Sequence, residues 1–413
     1  MENFSTAYHY SLMEKWKNEV LSQRQIHDLL DRYLHLYDSA IPNKTQRRHL
    51  GSYVQGLLSD LDRKTVEAIS RAFTEKNEVR PLQQFLTRST MDDKSVLETY
   101  LDLLAGTGAW EGGMICLEAG SFMKKGSHSA GVGRQPYGTD GRIENCQTCI
   151  FSIFSSEHGY GVINRELFLP AHWFDEDHGK ERKKCDIPVD RIYLPRREIS
   201  LELFHKAVEN GRFPCKWVGW GTGLGRIPDD LSSFCGDISY FADFSAQEPV
   251  YRCLPPINPS QEPEGEGSAL SSAAVSAQAL AHDDSIPWQT TPSTGEIGHP
   301  SRFKCIRCRP VYMAESNGTA NLNWLYIAII EKDLWVFLSN APADTDASEL
   351  HRAARLKMLS SKCLDECSAF LGLGHYEGRS YPGFQRHLLF VLIAHLFATS
   401  LQLDLKKVNF SAV

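Results

Sequence analysis

GGMICLEAGSFMKKGSHSAGVGRQPYGTDGRIENCQTCIFSIFSSEHGYGVINRELFLP, residues 112–170, decides the fold. GGMICLEAG opens it as a short buried strand, because Met114 to Leu117 form an unbroken apolar run. CQTCIFSIFSS (146–156) gives a longer strand and GVINRELFLP (161–170) a third. The glycine-containing turn His158–Gly161 is short enough to make these neighbours antiparallel. Downstream, ISLELFHKAVENG (199–211) reads as a helix with Asn210–Gly211 as its C-terminal cap, and FPCKWVGWG (213–221) as a fourth strand.

Working outward, the first hundred residues are helical in pattern. IHDLLDRYLHLY (26–37), HLGSYVQGLLSDLDRKTVEAISRAF (49–73) and PLQQFLTRSTMDDKSVLETYLDLL (81–104) carry apolar residues three and four apart. Thr90 to Asp93 offer capping oxygens to the last helix. Arg47, Arg48, Arg63, Lys64 and Arg71 make basic spots that suit either a DNA-binding bundle or an ordinary solvated face.

Residues 255–300, rich in Pro, Ser, Ala, Gly and acid, read as a low-complexity linker or loop without regular structure. Strands resume at RFKCIRCRPVYM (302–313), NWLYIAIIE (323–331) and DLWVFLSNA (333–341). Two helices close the chain, over residues 346–372 and after Pro382. HLLFVLIAHLFATSL (387–401) is short for a membrane span and carries His395 inside it, so it reads as a buried core helix.

The chain has 413 residues, enough for two or three domains and a sizeable core, and a formal charge of −7. DNA affinity comes largely from Lys and Arg neutralising phosphates, so a DNA-binding role needs a local basic patch on this acidic protein. Eleven cysteines without a secretory signal predict reduced thiols and a cytoplasmic location, with no membrane partner. Cys146–Cys149 and Cys305–Cys308 have the spacing of half a zinc site. Both pairs lie in strands, where a separation of three points the thiols to opposite faces, so no metal is expected there.

The run LEAGSFMKKG, then GRQPYG, then GRIENCQ resembles a signature of the DDE-type insertion-sequence transposases, which reads roughly V-D-E-T-G-F-L-K-K-G, R-Q-Y-S-G and G-R-I-E-N-C-Q. Residues 47–70, LQQFLTRSTMDD (82–93), NRELFLPAHW (164–173), WVFLSNAPADT (335–345) and LGLGHYEGRSYPGFQRH (371–387) also follow that family's pattern, in order. The resemblance implies an α/β protein: a helical N-terminal domain (1–108), then a ribonuclease-H-like core (109–224 and 344–413). A mostly β insertion (225–343) would hold the low-complexity segment 255–300.

In such enzymes two aspartates and a glutamate hold two Mg²⁺ ions that activate the attacking oxygen and stabilise the leaving one. Here the first aspartate position is Glu118, whose extra methylene displaces the carboxylate beyond the roughly half an ångström that catalytic groups tolerate. In WVGWGTGLG the second falls on Gly221, with Leu224 at the family's tyrosine, and Asp229 and Asp230 lie too far along. Counting back from Leu371 puts Lys357 at an arginine of the family pattern, Ser361 at the metal-binding glutamate and Ser368 at a lysine. Asp365, one turn on and about 6 Å along the axis, is the candidate substitute. Glu366 and Glu377 match acids of the pattern that are not ligands.

The resemblance therefore implies a degenerate site with no bound metal, Mg²⁺ being needed only if activity survives. Lys124, Lys125, Arg134, Gln135, Tyr137, Arg142, Asn145, Glu377 and Arg379 would line a DNA or ligand cleft. Alternatively they are scaffold, with Asn145 and the neighbouring Gln147 satisfying backbone groups and Glu118 paired with Arg134. Trp217, Trp220, Tyr137 and Phe122 read as core. Three functions compete: a DNA- or partner-binding protein without strand-transfer activity, an enzyme reusing the cleft for a small molecule, and an active transposase with unusual ligands.

Overall fold

The computed structural model describes residues 23–74, 79–107, 112–138, 141–228, 231, 236–255, 274–290, 303–314, 320–330 and 333–404. Among the described residues, five helices come first: α1 (Gln23–His35), α2 (Lys44–Leu58), α3 (Val66–Phe73), α4 (Val79–Arg88) and α5 (Asp93–Ala105). Their starts follow the capping chemistry of the sequence. Asn43 accepts from Thr45 N and Gln46 N, Thr65 from Ala68 N, and Asp92 from Lys94 N and Ser95 N.

The sheet follows, with β1 (Gly113–Met123), β2 (Gly133–Tyr137), β3 (Arg142–Ser156) and β4 (Gly159–Phe168). Next come α6 (Gly179–Lys184), α7 (Arg196–Asn210), β5 (Cys215–Trp220) and β6 (Ser239–Asp243). β1 lies in the middle, antiparallel to β3 and parallel to β5, and β5 is parallel to β6. β2 and β4 share the outer edge of the long β3. The order β4–β3–β1–β5–β6 is that of a ribonuclease-H-like core. Because β1 is covered on both faces, Met114, Ile115, Cys116 and Leu117 are fully buried, which explains their unbroken apolar run.

The expected boundary at residue 224 does not divide the sheet. β6 lies beyond it and is the fifth core strand. The segments β7 (Pro249–Tyr251), β8 (Ala274–Ser276), α8 (Ala277–Ala281), β9 (Gln289–Thr290), β10 (Phe303–Ala314), β11 (Ala320–Ile330) and β12 (Asp333–Ser339) then extend the same sheet, β12 pairing antiparallel with β6. Part of the supposed low-complexity stretch is also regular. Ala277, Leu280 and Ala281 are buried in a small core with Val250, Val311 and Leu325. The rest of that stretch, residues 256–273 and 291–300, and the pair Asp229–Asp230 lie outside the described residues.

Two long helices, α9 (Ala347–Leu371) and α10 (Tyr381–Asp404), complete the protein. α10 is the one helix among the described residues long and apolar enough to cross a membrane, and most of it is buried inside the protein. A helix apolar all round belongs in a core. Its few polar groups tie it to the N-terminal helices. Arg386 donates to the carbonyls of Phe85, Leu86 and Ser89, otherwise orphaned at the end of α4, and pairs with Asp93 at 2.7 Å. Phe390 stacks on Phe85 with centroids 5.4 Å apart. Residues 23–105 therefore share one hydrophobic core with the sheet and α10 rather than building a core of their own.

Candidate active site

The parallel pairing of β1 and β5 ends at Leu117–Trp220, so the next residues, Glu118 and Gly221, face each other where β5 stops. Gly221 N donates to Leu117 O at 3.0 Å. Its backbone, at φ −89° and ψ 149°, is one any residue adopts, so conformation does not require glycine here. Space does. A Cβ on Gly221 would run into Glu118 Oε2 and stand 2.8 Å from the carboxyl carbon. The longer acid at 118 and the missing side chain at 221 fit one another.

Glu118 is 8 % exposed. Its Oε1 accepts from Lys357 Nζ at 2.6 Å and from Ser360 Oγ at 3.1 Å, both on α9. Lys357 is itself buried and also donates to Asp243 Oδ2 at 3.1 Å. Asp243 ends β6 and receives Thr222 N at 3.1 Å. An ammonium thus sits between two carboxylates, one in the middle of β1 and one at the end of β6, on the two strands that flank β5.

Burial opposes the charge on Lys357, but Asp243 and Glu118 outweigh it and hold the ammonium protonated. Burial raises the Glu118 carboxyl, the nearby Asp243 raises it further, and Lys357 pulls it back only in part. That is expected where one cation serves two acids. Asp365, one face further along α9, is pushed up to about 6 by desolvation and by Glu118 and Glu366, although its side chain reaches the surface. The serine that touches Glu118 is Ser360 rather than Ser361, and the residue paired with Glu118 is Lys357 rather than Arg134. Neither Asp243 nor Lys357 stands out as a site residue in the sequence.

The other expected cleft residues divide into two sets. Lys124 Nζ donates to Gly374 O and Tyr376 O, and burial lowers it to about 8. Gln135 is buried and bonds Gly131 O and Cys146 O. Asn145 bonds Lys124 O and Gly126 O. Gln135 and Asn145 thus serve backbone carbonyls of the irregular 124–131 segment, and Lys124 serves those of the chain between α9 and α10. Glu377 is engaged with Arg63 at 3.0 Å. Exposed are Lys125, Arg379, Arg142 and Arg134, the last donating to Ile143 O; Tyr137 is half-buried. Phe122, Trp217 and Trp220 are core, as expected.

The strand order, with Glu118 in mid-β1 facing Gly221 just past the end of β5, defines a ribonuclease-H-like α/β fold. Residues 36–218 match the sequence model of the DDE superfamily endonucleases, a match that supports a DDE-type transposase family. No curated protein matches it in sequence at a significant level.

Proposed function

We propose that this protein keeps the transposase fold without two-metal strand-transfer chemistry and acts by binding DNA. The observation that carries the first half is the Glu118–Lys357–Asp243 triad. Two Mg²⁺ ions need several charged oxygens converging on open space. Here one carboxylate is already bonded to a buried ammonium, the facing position is a glycine with no room for a side chain, and α9 presents Lys357 and Ser360 to Glu118. A cation within 2.6 Å of Glu118 repels a second one, so the donor set does not fit a metal pair.

Support for the second half comes from the exposed cations Lys125, Arg134, Arg142 and Arg379, joined by Lys183 and Lys184 at the end of α6. Cys185, next after α6, donates to His128 O and receives Tyr381 N, so this helix end packs against the loop after Lys125 and the segment after Arg379. A local basic rim of this kind is what an acidic protein needs to hold phosphates.

A second reading has its own observation. A cavity of about 530 Å³ opens beside the triad, walled by Asp243, Tyr240, Thr222, Asn323 and Asn340. That is the size and mixed polarity of a small-molecule site, and it favours an enzyme that reuses the former cleft.

Fluorescence anisotropy with a labelled duplex distinguishes the two. The DNA reading predicts binding at low salt that weakens steeply as salt rises, and a weaker complex for the double variant Lys125→Glu, Arg379→Glu. Absence of binding at low salt would overturn it in favour of the cavity.

A further inference from the structure

One turn beyond the triad on α9, a second cluster of chemically capable side chains lies buried and has no part in the proposal above. Cys363 and Cys367 are fully buried, four residues apart and therefore on one face of the helix. His395 of α10, 3 % exposed, comes against them, so that two thiol sulfurs and an imidazole nitrogen all lie within 4.8 Å of one another.

The ring is held from behind. His395 Nε2 lies 2.9 Å from Glu366 Oε2, and Glu366 also accepts from Tyr160 Oη at 3.0 Å. A carboxylate accepting the far N–H of a histidine, itself steadied by another hydrogen bond, is the arrangement that fixes metal-binding imidazoles. With Nε2 committed to Glu366, Nδ1 is left as the ligand nitrogen.

We propose that Cys363, Cys367 and His395 bind one thiophilic divalent cation of the zinc class. Charge selects the valence. Two thiolates and a neutral imidazole around a divalent ion sum to zero, which suits a site buried between α9 and α10, whereas a monovalent ion would leave a negative charge there. Ligand chemistry selects softness, because two sulfurs and a nitrogen suit zinc and its analogues and not Mg²⁺. Zinc–sulfur bonds of about 2.3 Å require the donors to close by only small side-chain rotations from their present spread. Binding expels the two thiol protons and leaves no other group changed.

Access is provided by a cavity of about 340 Å³ that reaches Glu366 and His395 and is walled on its far side by Leu58, Asp62 and Lys64. Occupancy would pin α9 to α10 just beyond Lys357 and Ser360, and so steady the helix that supplies the ammonium of the triad.

The test is a titration of the purified, reduced full-length protein with Co²⁺ alone, read by absorbance. The expected result is a sulfur-to-cobalt charge-transfer band and visible bands of a tetrahedral ion, saturating at one equivalent and bleached by one equivalent of Zn²⁺. Cys363→Ser with Cys367→Ser should lose the charge-transfer band, while Cys146→Ser, at a buried thiol elsewhere, should keep it. Glu366→Gln should retain the bands but bind ten- to a hundredfold more weakly. Circular dichroism identifies any variant that has unfolded, and for such a variant the Glu366→Gln and Cys146→Ser pair decides. No charge-transfer band in the parent protein, or a band that survives the double serine variant in folded form, would overturn the assignment.

Discussion

Replacing Gly221 by alanine tests whether the altered acid and the missing side chain are one structural change. The new Cβ meets Glu118 Oε2, and Glu118 cannot swing aside because Lys357 and Ser360 hold its Oε1 at 2.6 and 3.1 Å. Forcing an extra methyl into such a site costs about 1–3 kcal/mol. The backbone at φ −89° suits alanine, so loss of unfolded-state freedom returns about 0.4–1 kcal/mol. Gly221→Ala should therefore destabilise by up to roughly 2.6 kcal/mol in the parent protein. On a Glu118→Asp background the carboxylate retracts by about one C–C bond, the collision disappears, and the same substitution should be neutral or slightly stabilising. Urea unfolding of the four proteins, with equal slopes verified, gives the coupling directly, and about 1–3 kcal/mol is expected. Additivity within about 0.5 kcal/mol would refute the packing argument.

Lys357→Met removes the only ammonium bonded to Glu118 among the described residues and should cost about 3–5 kcal/mol at neutral pH by leaving buried carboxylate unpaired. Lowering the pH until Glu118 protonates should recover part of that loss, which a purely steric defect would not do. Two buried histidines should contribute acid sensitivity that begins near the ordinary histidine range. Burial lowers His387 to about 3, where its ring accepts from Tyr53 and faces Gly372 O, and His351 to about 4. At these two positions the unfolded chain binds more protons than the folded one below about pH 6.5, so their contribution to stability falls as pH drops through that point and levels off only below about 4 and 3, while the raised Asp365 and Glu118 carboxyls act in the opposite sense. A difference in urea midpoint between the parent protein and His387→Gln that stays constant from pH 7 to 5 would contradict this.

Much of the fold is legible in residues 112–221, because strand runs there are long, apolar and separated by short turns. β6 escapes notice: SYFAD is five residues in a stretch otherwise broken by Gly, Pro and Ser, and its pairing with β5 is set by distant chain. Asp243 is lost with it. Lys357 reads as family scaffold because sequence spacing shows which helix face it shares but not that Glu118 lies opposite. Helix phase likewise separates Ser360 from Ser361, neighbours in sequence about 100° apart around the axis. Lys124, Gln135 and Asn145 are recognisable as polar residues among glycines, yet the carbonyls of Tyr376, Gly131 and Lys124 that they bond belong to chain segments that no periodicity describes. The Cys363–Cys367–His395 cluster is invisible for the same reason, its third member lying on another helix.

The central claim is that an ammonium stands where this family's fold would bring metal ions together. Incubating the purified protein with supercoiled plasmid and Mg²⁺ or Mn²⁺, and resolving nicked, linear and joined products, tests it most directly. No product above background is expected for the parent protein. Metal-dependent nicking by the parent protein that disappears in Glu118→Ala would contradict it.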